Sequence, residues 1–141
     1  MKTKTLFRSG ALTAEEQARV DEGFKHTATS RSAPPYDKQN VCWLLKDDTD
    51  ALVGVLTGNS LWDWLYIDEL WVMEAHRGHG LGQQLMRDAE QWSRQQRLIG
   101  IWLWTQSWEA EGFYRQLGFE VFTRFHNFPR GHDRIGLRKH L

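Results

Sequence analysis

Arg77-Gly78-His79-Gly80-Leu81-Gly82 packs three glycines and an arginine into six residues, the segment of the chain best suited to hold a charged ligand. Glycine has no side chain, so the backbone N–H groups of residues 78, 80 and 82 can approach a ligand closely. A helix starts here, because Leu81, Leu85, Ala89 and Trp92 fall at i, i+4, i+8 and i+11 along one apolar stripe. Its N-terminus adds unpaired N–H donors and the positive end of the helix dipole. Arg77 contributes a charged, forked donor, and His79 sits within the loop. Together these residues make a seat for phosphate or pyrophosphate. The preceding run from Trp64 to Met73 is short and apolar and reads as a strand buried on much of both faces.

Spacing decides which phosphate ligand fits. A Walker loop needs Gly-Lys-Ser/Thr, and no lysine occurs between Lys46 and Lys139. A dinucleotide-binding turn needs Gly-x-Gly-x-x-Gly, but its third glycine would fall on Gln83 or Leu85. The spacing that does fit, Arg-x-x-Gly-x-Gly through Arg77, Gly80 and Gly82, resembles the pyrophosphate-binding signature of the GNAT family of N-acetyltransferases. Ala110-Glu-Gly-Phe113-Tyr114-Arg-Gln-Leu117-Gly118-Phe119 resembles a second segment of that family, Ala-x-x-Phe-Tyr-x-x-x-Gly-Phe. Physically it is a short helix closed by Gly118 as a left-handed C-cap, followed by a new strand. The likeness covers residues 41–141. It departs at Ser107, where the family often has Asn, and at Glu74, where it often has Pro.

The resemblance implies acetyl-CoA as co-substrate and no metal. It implies parallel strands near 64–73 and 99–105 that splay apart, with the pantetheine arm pairing to the backbone of Leu70, Trp71 and Val72. Arg77, Gly78, His79, Gly80, Leu81 and Gly82 would hold the pyrophosphate. Tyr114 would face the coenzyme sulfur and act as general acid to the leaving thiolate. For the base, strand alternation puts Asp68 and Glu69 on opposite faces, with Tyr66 and Asp68 sharing a face with Leu70 and Val72. The family's acceptor-facing groups favour Asp68, with Glu69 second and Tyr66 against the acceptor. A carboxylate of ordinary pKa, about 4, is a weak base for an amine near 10, so burial or a water relay must assist. Trp108 and His132 are further candidates for acceptor binding. Salt-bridging or charge recognition is the plain alternative for either acid, and packing for Trp108.

Composition narrows the remaining classes. The chain has 141 residues, enough for one domain and one core, with 18 basic and 18 acidic residues and a formal net charge of zero. No basic tract offers a nucleic-acid footprint. No apolar run approaches the roughly 20 residues of a membrane span, and residues 1–8 lack a signal-peptide core. One cysteine, Cys42, permits no internal disulfide and reads as a small apolar strand residue. The expected location is cytoplasmic. Eight tryptophans suit core or homodimer packing, or an aromatic acceptor pocket that takes a cation over a ring.

The expected order is β-α-(α)-β-β-β-α-β-α-β-β. It has a helix from Thr13 to about Gly23, a loop or short frayed helix over 26–40, and a hairpin of 41–46 with 51–57. A turn at 58–60 leads into the long strand. After the helix of about 80–96 come a strand near 99–105, a helix near 108–117, and strands near 119–127 and 132–139. That is an α/β domain with a mixed, mostly antiparallel sheet, two splayed parallel central strands and flanking helices. The expected activity is acetyl transfer from acetyl-CoA to the amine of a small molecule. Acetylation of a protein N-terminus or lysine, and a non-catalytic coenzyme A-binding module, are the competing readings.

Overall fold

The computed structural model describes residues 1–141, which divide into two compact units, Met1–Tyr36 and Asp37–Leu141. The first unit carries α1 (Ala14–Ser30). Its capping box is formed: the Glu16 N–H donates to the Thr13 hydroxyl at 3.1 Å, and the Thr13 N–H donates to the Glu16 carboxylate at 2.8 Å. The helix continues past Gly23, its expected end. The hydroxyls of Thr29 and Ser30 donate back to the carbonyls of Lys25 and Thr27, each at 2.9 Å, so they bond along the helix rather than divert its backbone. The leading strand and the optional second helix of the expected order are absent.

The second unit contains β1 (Gln39–Lys46), β2 (Leu52–Leu61), β3 (Trp64–Val72), α2 (Leu81–Gln95), β4 (Gly100–Gln106), α3 (Glu111–Gln116), β5 (Glu120–His126) and β6 (Asp133–His140). The strands form one sheet in the order β1-β2-β3-β4-β6-β5. Only β3 and β4 run parallel; every other neighbouring pair is antiparallel. The mixed, mostly antiparallel sheet is therefore as expected.

The expected turn at 58–60 does not form. β2 runs through to Leu61, and the hairpin closes at Trp62 and Asp63, both with positive φ (47° and 71°). Two-residue hairpin turns of the I′ class need this geometry but usually recruit Asn-Gly or Asp-Gly. Trp-Asp carries no such signal.

β3 contains the feature that sets the site. Gly58 pairs with Ile67 while Thr57 pairs with Glu69, so Asp68 is an extra residue, a β-bulge. Unbroken alternation from the fully buried Leu65 would send Glu69 into the core and Leu70 outward. With the bulge, Leu70 pairs with the buried Leu56, and Glu69 faces outward beside Thr57, whose hydroxyl donates to its carboxylate at 3.1 Å. An unpaired carboxylate in the core would cost several kcal/mol, so the bulge reconciles the acidic pair with the apolar run. The expected face shared by Tyr66, Asp68, Leu70 and Val72 is corrected: Tyr66 lies with Glu69, and Leu70 lies with the core.

The core itself is formed by Leu56, Leu65, Ile67, Ile101, Leu103, Ile135 and Leu137 of the sheet under Leu85, Met86 and Ala89 of α2. Burying each of these aliphatic side chains contributes about 1.5–3 kcal/mol, which resists any one-residue slip of a strand.

Opposite the bulge the two backbones come so close that a Cβ on Gly58 would lie 2.2 Å from the Tyr66 carbonyl oxygen. Gly58→Ala should therefore lower stability by about 2–3 kcal/mol, read as the urea midpoint at unchanged m-value. Gly112→Ala meets nothing within 4 Å in α3 and should be neutral or slightly stabilising. Equal midpoints for the two variants would mean that the bulge tolerates a side chain.

Candidate active site

β3 and β4 pair only from Trp64–Gly100 to Ile67–Leu103. Beyond that point β3 stays with β2 as far as Val72, and β4 stays with β6 as far as Gln106. The two strands separate, and Leu70, Trp71 and Val72 present an edge toward β4 that carries no partner strand. Such an edge can hydrogen-bond an extended ligand as an added strand would.

A 3₁₀ turn, Glu74–His76, leads from the end of β3 to the glycine loop. Gly78 and Gly80 have φ of +80° and +76°, and a Cβ at either would meet nothing within 4 Å. The loop thus presents open backbone. Gly80 is the left-handed N-cap of α2 and supplies no side chain to its N–H groups, which suits an anion. Leu81 is half-buried and begins the helix. A Cβ on Gly82 would lie 3.4 Å from the Phe113 ring, so this glycine also seats α2 against α3. Arg77 donates through Nε to the Val72 carbonyl at 2.9 Å, which ties the loop to the strand end and leaves its terminal amino groups without a protein partner. His79 is exposed, with Nδ1 3.3 Å from the His76 carbonyl.

Tyr114 of α3 is 8% exposed, edge-on to Phe113 and Phe119. No protein group hydrogen-bonds to its hydroxyl. Burial, aided by the nearby Glu109 carboxylate, pushes its pKa up to about 12. The phenol therefore keeps its proton at neutral pH, and donating a hydrogen bond is easier for it than surrendering the proton. The end of α3 is fixed by Lys139, whose ammonium donates to the Leu117 carbonyl at 2.8 Å and to Glu90 of α2 at 2.9 Å. Burial would raise Glu90, yet Lys139 and Arg94 hold its carboxyl below the usual range.

Asp68 and Glu69 both line one cavity of about 420 Å³, together with Lys38, Asn40, Cys42 and Thr57. They were expected on opposite faces, and the bulge brings them to the same cavity. Cys42 is exposed there, contrary to its expected burial. A second cavity of about 710 Å³ is lined by Tyr66, Trp102, Trp104, Phe122, Arg134 and Arg138 among others. The Tyr66 and Trp102 rings are tilted by 48° with their centres 4.6 Å apart. Its pKa is raised by burial and then by Asp68, with Arg134 opposing.

Trp108 and His132 do come together, edge-on at 4.9 Å, but neither lines either cavity. Ser107 is itself well bonded: its N–H donates to the Asp133 carbonyl at 2.9 Å, and its hydroxyl accepts from the Asp133 N–H at 3.1 Å. No group of His, Cys, Asp and Glu side chains is arranged to hold a metal ion.

Three residues were missed from the sequence. Glu109 accepts from the Thr105 hydroxyl at 3.2 Å and acts electrostatically on Tyr114; nothing in its local sequence marks it. Arg134 and Arg138 had a usable signal, because i, i+4 on a strand puts both on one face.

The Acetyltransferase (GNAT) family model matches residues 11–119. The chain belongs to this family. Among curated relatives, a blasticidin-S acetyltransferase from Streptomyces morookaense is 37% identical over 81 residues, covering 57% of this chain and 60% of that protein. The chain spans about 60–64% of the length of the curated relatives it matches. A crystal structure from Agrobacterium tumefaciens shares the fold at a TM-score of 0.84 and 24% identity, covering 98% of this GNAT chain and 100% of that one. A Bacillus anthracis protein solved in complex with acetyl coenzyme A has a TM-score of 0.66 and 22% identity, covering 77% of this chain and 64% of that one.

The raised Tyr114 pKa gives a stability signature. A folded pKa above the ordinary value of 10 favours folding while the phenol is neutral, and that stability is lost as pH rises from about 10 to about 12. The loss is about 3 kcal/mol at two pKa units. Wild-type stability should fall more steeply than that of Tyr114→Phe across this window, in urea titrations at matched pH. Parallel curves would place the hydroxyl in water.

Proposed function

We propose that this GNAT chain transfers an acetyl group from acetyl-CoA directly to the amine of a small molecule. The observation that carries the reading is the parting of β3 and β4, which leaves an unpaired β3 edge that leads through a 3₁₀ turn into the glycine loop. The residues fit the co-substrate. Open backbone at Gly78 and Gly80, the N-terminus of α2, Leu81, Gly82 and the free amino groups of Arg77 suit a pyrophosphate, with His79 beside it. The edge of Leu70, Trp71 and Val72 suits an amide-bearing arm.

Acetyl-CoA supplies the activated acyl group. The chain supplies position and proton control. A backbone N–H of the β3 edge polarises the acetyl oxygen. Asp68 or Glu69 takes the acceptor's proton, directly or through water, and Tyr114 donates a hydrogen bond to the departing sulfur. Two concave cavities, the larger of about 710 Å³, favour a small molecule over a protein segment. The name of the Streptomyces relative points the same way. Cytoplasmic action and assembly as a homodimer belong to the same proposal.

Two experiments test this reading. Acetyl-CoA at 100-fold over its Kd should add about 2.7 kcal/mol and raise Tm by several degrees, whereas NAD should not. In a screen of amines, free thiol should appear only with acceptor present. Asp68→Asn and Glu69→Gln should both lower kcat/KM, because the bulge brings both to one cavity; an effect confined to one would identify the base. Thiol release in neither screen nor control, despite a Tm shift, would leave a coenzyme-binding module.

Gly80→Val places a β-branched residue at φ +76°, where L side chains are strained by about 1–2 kcal/mol or more. It should weaken acetyl-CoA binding by calorimetry at least 10-fold more than Arg77→Ala. Full affinity in a folded Gly80→Val protein would remove residues 77–82 from the donor site.

A further inference from the structure

The aromatic cavity already holds cations of its own. The Arg134 guanidinium lies 5.0 Å from the Trp104 ring centre and 4.9 Å from that of Phe128, and Arg138 lies 5.6 Å from that of Phe122. A cationic ligand seeking these ring faces would meet like charge instead. Arg134 has no ion-pair partner, and its Nε–H is buried without an acceptor. Arg138 shares its charge with Glu120 at 3.2 Å, on an exposed side chain. Lys38 also lines this cavity and forms no ion pair.

The neighbouring cavity has the opposite sign, since Asp68 and Glu69 both line it. The two meet: Lys38 and Asn59 line both. Tyr66 spans them, in the aromatic cavity yet within the electrostatic reach of both Asp68 and Arg134. A molecule lying across this boundary meets carboxylates at one end, the tilted Tyr66 and Trp102 rings in the middle and guanidinium groups at the other.

We infer that the acceptor is an amphoteric amine whose amino group lies against Asp68 and Glu69 while a carboxylate on the same molecule is held by Arg134 and Arg138. A planar or apolar body between the two groups packs on Tyr66 and Trp102. The inference rests on the acetyl-transfer reading for which amine end reacts, but the charge pattern alone dictates the binding preference. A guanidinium matches a carboxylate edge-on through parallel N–H donors, which fixes the molecule's direction in the cavity.

Calorimetry on the full chain with saturating coenzyme A, using matched amines with and without a carboxylate, separates these points. The pairs are 4-(aminomethyl)benzoate with 4-methylbenzylamine, and 4-(2-aminoethyl)benzoate with 2-(4-methylphenyl)ethylamine, each acid carrying its ring between the amine and the carboxylate. At least one carboxylate-bearing member should bind tenfold or more tightly than its partner. Arg138→Gln, on an exposed side chain, should shrink that preference to threefold or less, chiefly by weakening the carboxylate-bearing member. Arg134→Met, which keeps a side chain between the two rings, should do the same. Failure of every pair to bind, binding of both members within threefold in wild type, or a preference that survives both variants would overturn the inference. Thiol release measured on the same compounds with acetyl-CoA keeps the two ideas apart. Preference without any thiol release would sink the acetyl-transfer reading alone, and thiol release without preference would sink the amphoteric acceptor alone.

Discussion

A parallel strand pair that stops halfway is the constraint from which the rest of this molecule follows. Four registered positions hold β3 to β4, and then each strand keeps its other neighbour instead. Backbone groups in a sheet are ordinarily satisfied across both edges, so a stretch left open on one side must be satisfied by water or a ligand. The glycine loop follows directly from the open end of β3. Moving the separation by one residue would change which backbone groups are free.

The bulge at Asp68 follows from a conflict in the same strand. Leu65 and Ile67 demand one phase of alternation, and Leu70 demands the other. An extra residue resolves the conflict and places two carboxylates near each other beside the gap. Gly58 permits this, since only a residue without a side chain tolerates the approach of the opposite backbone.

Much of this was legible in the chain. Residues 77–82 and 110–119 have spacings that a turn-to-helix junction and a capped short helix impose locally, so their elements could be named. The stripe through Leu81, Leu85, Ala89 and Trp92 likewise gave α2. What the residues concealed was set by partners far away in sequence. The bulge depends on Leu56 across the sheet, the Trp62-Asp63 turn lacks the usual residues, and Arg134 finds Trp104 and Phe128 only after β6 pairs with β4. The polar stretch after Gly23 looked like a loop because hydroxyl side chains usually compete with helix, yet here they bond along it. Acidic residues on a strand do not announce their face once alternation is broken.

The connection between the parallel strands also has a kinetic side. Trp64 and Gly100 must meet across 36 positions of chain, and parallel pairing, unlike a hairpin, cannot be started by a tight turn. Long closures of this sort are slow relative to the flanking hairpins β1–β2, β2–β3 and β5–β6. The glycine loop and α2 lie within that very crossover. The placement of both against the sheet therefore depends on a pairing that the antiparallel arms do not need for their own assembly.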